Sequence, residues 1–148
     1  MTTAYDPATV KLSPNPQVRD QAVRYEESDG TEGTDMNGSP CLLLDYQGRV
    51  SGEWRRIVLI HAKEDDDRYL IVASNSGSDN HPMWFASVEA NPEVHVRVLG
   101  ERFRARAEVL PPGEKARVWP LLLAVFPRYE QYQKGTDRDI PVLRISRA

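Results

Sequence analysis

The residues best suited to chemistry cluster between Gly48 and Trp84. Gly48-Arg49-Val50-Ser51-Gly52 is a glycine-bounded turn with an arginine inside it, and Arg55 follows six residues after Arg49. Glycine lets backbone N–H groups come close to a ligand, and a guanidinium adds a fixed charge with forked donors, so the turn has the parts of an anion clamp. The same pattern also serves as a plain connection between two strands. Trp54 and Trp84 lie near it, and Tyr129, Tyr132 and Gln133 fall three to four residues apart, hence on one side of a helix. Arginines, backbone donors and aromatic walls are what a large planar, phosphorylated cofactor needs. Ordinary core or rim packing is the competing use of those aromatics.

Several other chemistries lack their residues. His61, His81 and His95 show no Cys/His/carboxylate spacing for a metal, so no metal site is expected. There is no Gly-x-Ser-x-Gly elbow, no cysteine nucleophile signature, no GxGxxG and no P-loop. The acidic run Glu64-Asp-Asp-Asp67 lacks the spaced carboxylates and glycine of a calcium loop and reads as a solvated hairpin tip.

Composition sets the scale. At 148 residues, 40% hydrophobic and 28% charged, the chain is expected to be one domain, residues 15–148, behind a flexible arm over residues 1–14. A net charge of −3 gives no reason to expect nucleic acid, so any anion site must be local. The single cysteine, Cys41, sits in an apolar run and reads as a buried small hydrophobe suited to a reducing compartment. The first sixteen residues lack a basic flank and an apolar segment, and the run Leu121 to Phe126 is too short to span a bilayer. A cytoplasmic location without stable membrane insertion is the expectation; surface association through the N-terminal segment is disfavoured by its acidic residues.

Elements must position these groups. Asn15-Pro16 reads as a cap followed by proline at the first helical position, with Val18, Ala22 and Tyr25 on one helix face and a stop before Gly30. Cys41–Leu44, Trp54–Ile60 and Tyr69–Ser74 read as short buried strands. His81-Pro82 opens a helix that Asn91-Pro92 closes. Val94, Val96 and Val98 alternate with polar residues, as do Phe103, Ala105 and Ala107 against Arg102, Arg104 and Arg106, which makes an antiparallel hairpin with arginines on one face. A helix from Pro111 with Pro120 inside it, a short helix from Pro127 to Gly135 and a strand near Pro141–Ile145 follow. About six mostly antiparallel strands, with helices at the ends and between strands, imply an α+β protein built on a small closed or split barrel.

The order of the motifs carries a resemblance. Gly48-Arg49-Val50-Ser51-Gly52, Val72-Ala73-Ser74, His81-Pro82-Met83-Trp84, Ala90-Asn91-Pro92, Trp119, Pro127-Arg-Tyr129-Glu-Gln-Tyr132-Gln133 and Thr136-Asp137-Arg138-Asp139-Ile140-Pro141-Val142 occur as in the deazaflavin-dependent nitroreductase family of actinobacteria, over roughly residues 36 to 145. The resemblance implies a mainly antiparallel split β-barrel of the flavin-reductase type that binds coenzyme F-420, an 8-hydroxy-5-deazaflavin, and passes hydride to quinones, enones or nitroaromatic compounds. It further implies that Gly48, Arg49, Val50, Ser51, Gly52 and Arg55 hold the cofactor's phosphate and tail. Ser74, Asn75, Met83 and Trp84 would lie near its ring, and Tyr129, Tyr132 and Ser74 would serve the reaction. A tyrosine, protonated at neutral pH, suits the donor role.

Three positions depart from the family pattern. Val50 and Asn75 stand where the family commonly has basic residues, and Phe126 stands where it can have tyrosine. At about 0.5–2 kcal/mol per partly exposed charge–phosphate contact, losing two cations weakens binding by roughly one to three decades unless Arg56, Arg104 or Arg106 substitutes. A non-catalytic module holding a deazaflavin, flavin or other planar ligand is therefore the alternative, and flavin mononucleotide (FMN) the alternative cofactor. A hydrophobic small-molecule acceptor and a homodimer are the expected partners.

Overall fold

The computed structural model describes residues 4–148. Strand β1 (Lys11–Leu12) precedes helix α1 (Pro16–Glu27), then β2 (Asp35–Met36), β3 (Ser39–Gln47), β4 (Trp54–Ile60), β5 (Ala62–Asp65) and β6 (Arg68–Val72). A short 3-10 turn at Asn75–Gly77 leads to α2 (Met83–Ala90), the hairpin β7 (Glu93–Val98) and β8 (Glu101–Val109), α3 (Pro112–Val125), α4 (Arg128–Lys134) and β9 (Val142–Arg147).

These strands form one mixed sheet in the order β1-β4-β3-β7-β8-β9-β6-β5, with β2 paired to β3 off that path. Only β1 runs parallel to its neighbour, β4; every other pairing is antiparallel. The architecture is thus α+β, but the described residues hold nine strands where the sequence suggested about six. The difference lies in β1 and β2, which are two residues each and carry no alternation, and in β5, which only His61 separates from β4.

Residues 4–14, expected as part of a loose arm, make defined contacts. Lys11 and Leu12 pair with Arg55 and Arg56, the Tyr5 ring stacks on His95 at 3.5 Å, and the Tyr5 hydroxyl donates to Asp45 Oδ2 at 2.5 Å. Burial and the Asp45 carboxylate push the Tyr5 hydroxyl well above the ordinary tyrosine range.

The central strand, β3, is buried on both faces, and its alternation divides the core. Leu42, Leu44 and Tyr46 join Ile71, Val94, Val96, Phe103, Leu143 and the inner side of α2. Cys41 and Leu43 face α1, meeting Ala22, Tyr25 and Val58. A third cluster beneath α3 and α4 holds Leu70, Val72, Val118, Leu122, Tyr129 and Ile140.

Helix α1 begins as its cap residues dictate: the Asn15 side chain accepts from the Gln17 and Val18 amides, with Pro16 first in the helix. It ends against the β7–β8 turn, where Tyr25 Oη donates to Cys41 O and accepts from the Leu99 amide. Gly30 closes that junction at φ +78°, and a Cβ there would come within 2.1 Å of the Leu99 carbonyl carbon, so no larger residue fits. The hairpin keeps Val94, Val96, Phe103, Ala105 and Ala107 inside as the alternation requires. Arg104 and Arg106 face solvent.

Candidate functional site

The Gly48–Gly52 turn is a closed loop at the end of β3. Gly48 donates to Glu53 O and Gly52 donates to Gly48 O, both at 2.9 Å, while the buried Gln47 side chain donates to Gly52 O at 3.0 Å. A Cβ at Gly48 would lie 2.9 Å from Ser51 Oγ, so a larger residue there would have to displace the Ser51 hydroxyl from its contact with the Glu53 amide. The Arg49 amide donates to Ser87 Oγ at 3.2 Å, which moors the turn to α2. The Arg49 side chain is exposed and has no acidic partner among the described residues, and no described acceptor takes the Val50 and Ser51 amides. Arg55 is half-exposed and only 4.0 Å from Glu53, a weak surface pair.

Helix α2 supplies the second part. Pro82 is its N-cap and offers no side-chain acceptor, so the Met83 and Trp84 amides at the helix start stay open, as suits an anion or a carbonyl oxygen. Ser87 is four residues, about 6 Å, further along, which sets the arginine turn one helical turn from that open end. Met83 projects into solvent at 92% exposure, whereas Trp84 is 7% exposed and packs in the core. The exposed Val50, at 88%, gives the turn an apolar rather than a cationic tip.

The chain from Ala73 to His81 completes the rim, and one residue organises it. Arg138 Nε donates to Ser78 O at 2.8 Å, Nη2 donates to Ser74 O at 2.8 Å, and both terminal nitrogens reach Ala73 O at 3.3 Å. Partial burial lowers its pKa relative to a free arginine. Asn75 and Ser76 adopt φ of 48° and 55°, and the Asn75 side chain donates to Asn80 O at 3.2 Å, so it is spent inside the loop. Gly77, at φ +81°, lets the Tyr132 ring close in: a Cβ there would lie 2.9 Å from Tyr132 Cδ1.

The two tyrosines are not equivalent. Tyr129 is 4% exposed, packs edge-on to Phe126 at 4.7 Å, and burial pushes its hydroxyl above the ordinary range. Tyr132 is half-buried against the loop, which makes it the tyrosine open to a ligand. Arg56, weighed as a substitute cation, is 4% exposed and bound to Asp45 and Glu26 at 2.7 Å, so it is committed to the fold. Cavities of about 160, 380 and 570 Å³ lie beside Pro92, Trp54 and the Asp65–Arg68 tip, and none of them is lined by Arg49, Ser74, Met83 or Tyr132.

Sequence reasoning gathered Gly48–Gly52, Ser74, Met83 and Tyr132 around one cofactor; the structure moors the turn to α2 through Ser87, puts Met83 at the start of α2, and sets Tyr132 against Gly77 in the loop that leads there. Sequence reasoning missed Ser87, Gly77 and the role of Arg138. Arg138 had a signal, its place in the Thr136–Val142 motif, but its partners lie 57 to 65 residues away.

A mixed α+β sheet thus presents an arginine turn and an uncapped helix start side by side, donors suited to an anionic or carbonyl-bearing ligand. Residues 17–146 match the family model described as F420H(2)-dependent quinone reductase, and the chain belongs to that family. It is 35% identical over 127 residues, 83% of this chain and 85% of the relative, to an F420H(2)-dependent quinone reductase of Mycobacterium tuberculosis strain ATCC 25618 / H37Rv. Among solved structures, an F420-H2 dependent reductase, FDR-A, superposes with a TM-score of 0.68 at 33% identity, covering 72% of this chain and 94% of that one. A chain solved as a domain-swapped dimer gives 0.70 at 33%, covering 90% and 100%. The protein is therefore an F-420-dependent reductase.

The residues present fit that cofactor. An unpaired guanidinium, two open amides in the turn and two at the helix start provide for phosphate and carbonyl oxygens. No helix among the described residues is long and apolar enough to cross a membrane.

Proposed function

We propose that this chain reduces quinones, and with them enones and nitroaromatic compounds, at the cleft in front of α2, inside a sheet that closes as a split barrel through the β4–β5 bend. The observation that carries the reading is Arg49: its amide is moored to Ser87 while its guanidinium stays free beside two open turn amides. Arg49, helped by Arg55 and the Gly48–Gly52 amides, holds the phosphate and tail. Ser74, Asn75 and the Met83 backbone border the ring, with Trp84 supporting them from the core. The reduced deazaflavin supplies a hydride when bound. Tyr132 orients the acceptor's carbonyl or nitro group through its hydroxyl, and Tyr129 backs the Tyr132 ring at 6.4 Å between centroids. The likeness to a chain solved as a domain-swapped dimer supports a homodimer.

A tryptophan-fluorescence titration with F-420, run beside FMN, tests the site. Micromolar or tighter binding of the deazaflavin alone, with turnover of a quinone panel, is expected. Arg49→Ala is expected to weaken that binding about tenfold, in keeping with roughly 0.5–2 kcal/mol for a partly exposed charge–phosphate contact, and to leave thermal stability unchanged. Unchanged affinity in that variant removes Arg49 from the site. The exposed Val50 and the internally bonded Asn75 leave the phosphate and tail to Arg49 and Arg55, and tight F-420 binding with no turnover across the whole panel would overturn the choice of acceptors.

A further inference from the structure

We propose that Arg138 is a positioning residue that fixes His81 as its Nε2–H tautomer, so that His81 offers a hydrogen-bond donor to a carbonyl oxygen of the planar ligand in front of α2. The inference rests on the cofactor-site reading above.

Arg138 Nη1 lies 2.8 Å from His81 Nδ1. A guanidinium has donors only, so this contact requires a lone pair on Nδ1. An Nδ1–H would set one N–H against another. The guanidinium cannot yield, because the carbonyls of Ala73, Ser74 and Ser78 hold its other hydrogens. Neutral imidazole with Nδ1 as acceptor carries its hydrogen on Nε2.

His81 sits at the mouth of the same helix start. His81 is exposed and immediately precedes Pro82, the N-cap whose helix start has open amides, and its ring leans on Phe85 at 4.9 Å. The Nε2–H therefore adds a side-chain donor to the backbone donors of the same rim. As hydride reaches the acceptor's carbon, charge builds on the acceptor's oxygen, and a fixed donor there stabilises it. His81 gives up no proton in this role.

Long-range ¹H–¹⁵N correlation spectra of histidine-labelled protein read the tautomer directly, with His81 assigned by the signal lost in His81→Gln. The expected wild-type pattern is neutral Nε2–H, shifting toward a mixture of tautomers in Arg138→Gln. An Nδ1–H or mixed pattern in the wild type overturns the proposal, and this measurement stands even if the Arg138 variant does not fold. The donor role is read from His81→Leu, expected to lose roughly three- to tenfold, the worth of one hydrogen bond, with His81→Gln recovering most of it. Loss in F-420 affinity places the carbonyl on the cofactor, and loss in kcat alone places it on the quinone. A leucine variant equal to wild type in both measurements overturns the donor role. Failure of wild-type protein to bind F-420 would instead overturn the site reading, and leaves the tautomer result separate.

Discussion

His61 joins β4 to β5 with a buried ring whose Nδ1 has no hydrogen-bond partner among the described residues, packed edge-on to Tyr69 at 5.6 Å. Burial lowers its pKa from 6.5 to about 4. The unfolded chain therefore takes up this proton near pH 6.5 while the folded chain resists until about 4, so the contribution is complete above 6.5 and is lost as pH falls to 4. At 1.36 kcal/mol per unit the loss is on the order of 3 kcal/mol. Urea unfolding of wild type and His61→Leu at steps from pH 7 to 4 checks this. The variant is expected to show a flatter dependence across that window, and equal slopes would assign the acid sensitivity to other groups. Carboxylates act lower: Arg117 and Arg144 hold Glu114 down to about 2, so its contribution fades only below the ordinary carboxylate range. Nothing near His61 in sequence foretold this burial. The residue ends one apolar run and precedes the charged hairpin at residues 62–67, and its enclosure follows from the chain turning there between two parts of the sheet.

At the scale of elements, α1 is anchored to the sheet by one carboxylate. Glu26 meets Arg56 Nη1 at 2.7 Å, and both of its carboxylate oxygens accept from Arg102 Nη2. Arg97 Nε lies 2.9 Å from Glu26 Oε1, off the line of its own N–H, so that contact is electrostatic rather than a hydrogen bond. Burial opposes ionisation of Glu26, but Arg102, Arg56 and Arg97 prevail and hold its pKa below the usual value. Asp45 completes the cluster from β3, bridging Arg56 and Tyr5. Removing Glu26 takes one of two counter-ions from each guanidinium, leaving Asp45 to face both Arg56 and Arg102 and the exposed Asp29 to face Arg97. Glu26→Gln is expected to cost about 2–3 kcal/mol in urea unfolding, below the 3–5 of a fully buried pair because Glu26 remains partly exposed. Glu32→Gln, on the exposed loop beyond α1, should stay within about 0.5 kcal/mol of wild type. Equal stability of the two variants would show that apolar contacts alone seat the helix. The helix itself was legible, because its cap, its apolar face and its stop are all local. Its electrostatic seat was not: Arg102 lies 76 residues from Glu26 in sequence, and an alternating strand pattern cannot say whether its polar face meets water or a helix. Arg102 proved to meet the helix, while Arg104 and Arg106 on the same face meet solvent.

For the whole molecule, the candidate site draws the sheet and its covering helices into one responsive unit. The arginine turn belongs to the β3–β4 connection, the open amides to α2, Tyr132 to α4, and Arg138 to the segment entering β9. These parts are distant in sequence, and the order of motifs reveals their kinship while the fold alone reveals their adjacency. A ligand that binds only when all of them are in place must stabilise the folded chain as a whole. At a free concentration one hundred times Kd that linkage is worth about 2.7 kcal/mol. For a chain near 150 residues it corresponds to a rise in Tm of roughly 5–10 °C. F-420 is expected to produce such a rise in a thermal melt, and FMN at the same concentration a much smaller one. Arg49→Ala should start from the wild-type Tm and gain about half as much, since a tenfold weaker site at the same concentration keeps about 1.4 kcal/mol of the linkage. Reduced gain from an unchanged starting point separates a ligand contact from a fold contact. A variant that melts early without ligand would place Arg49 among the structural arginines, beside Arg56, and would move the phosphate clamp away from the Gly48–Gly52 turn.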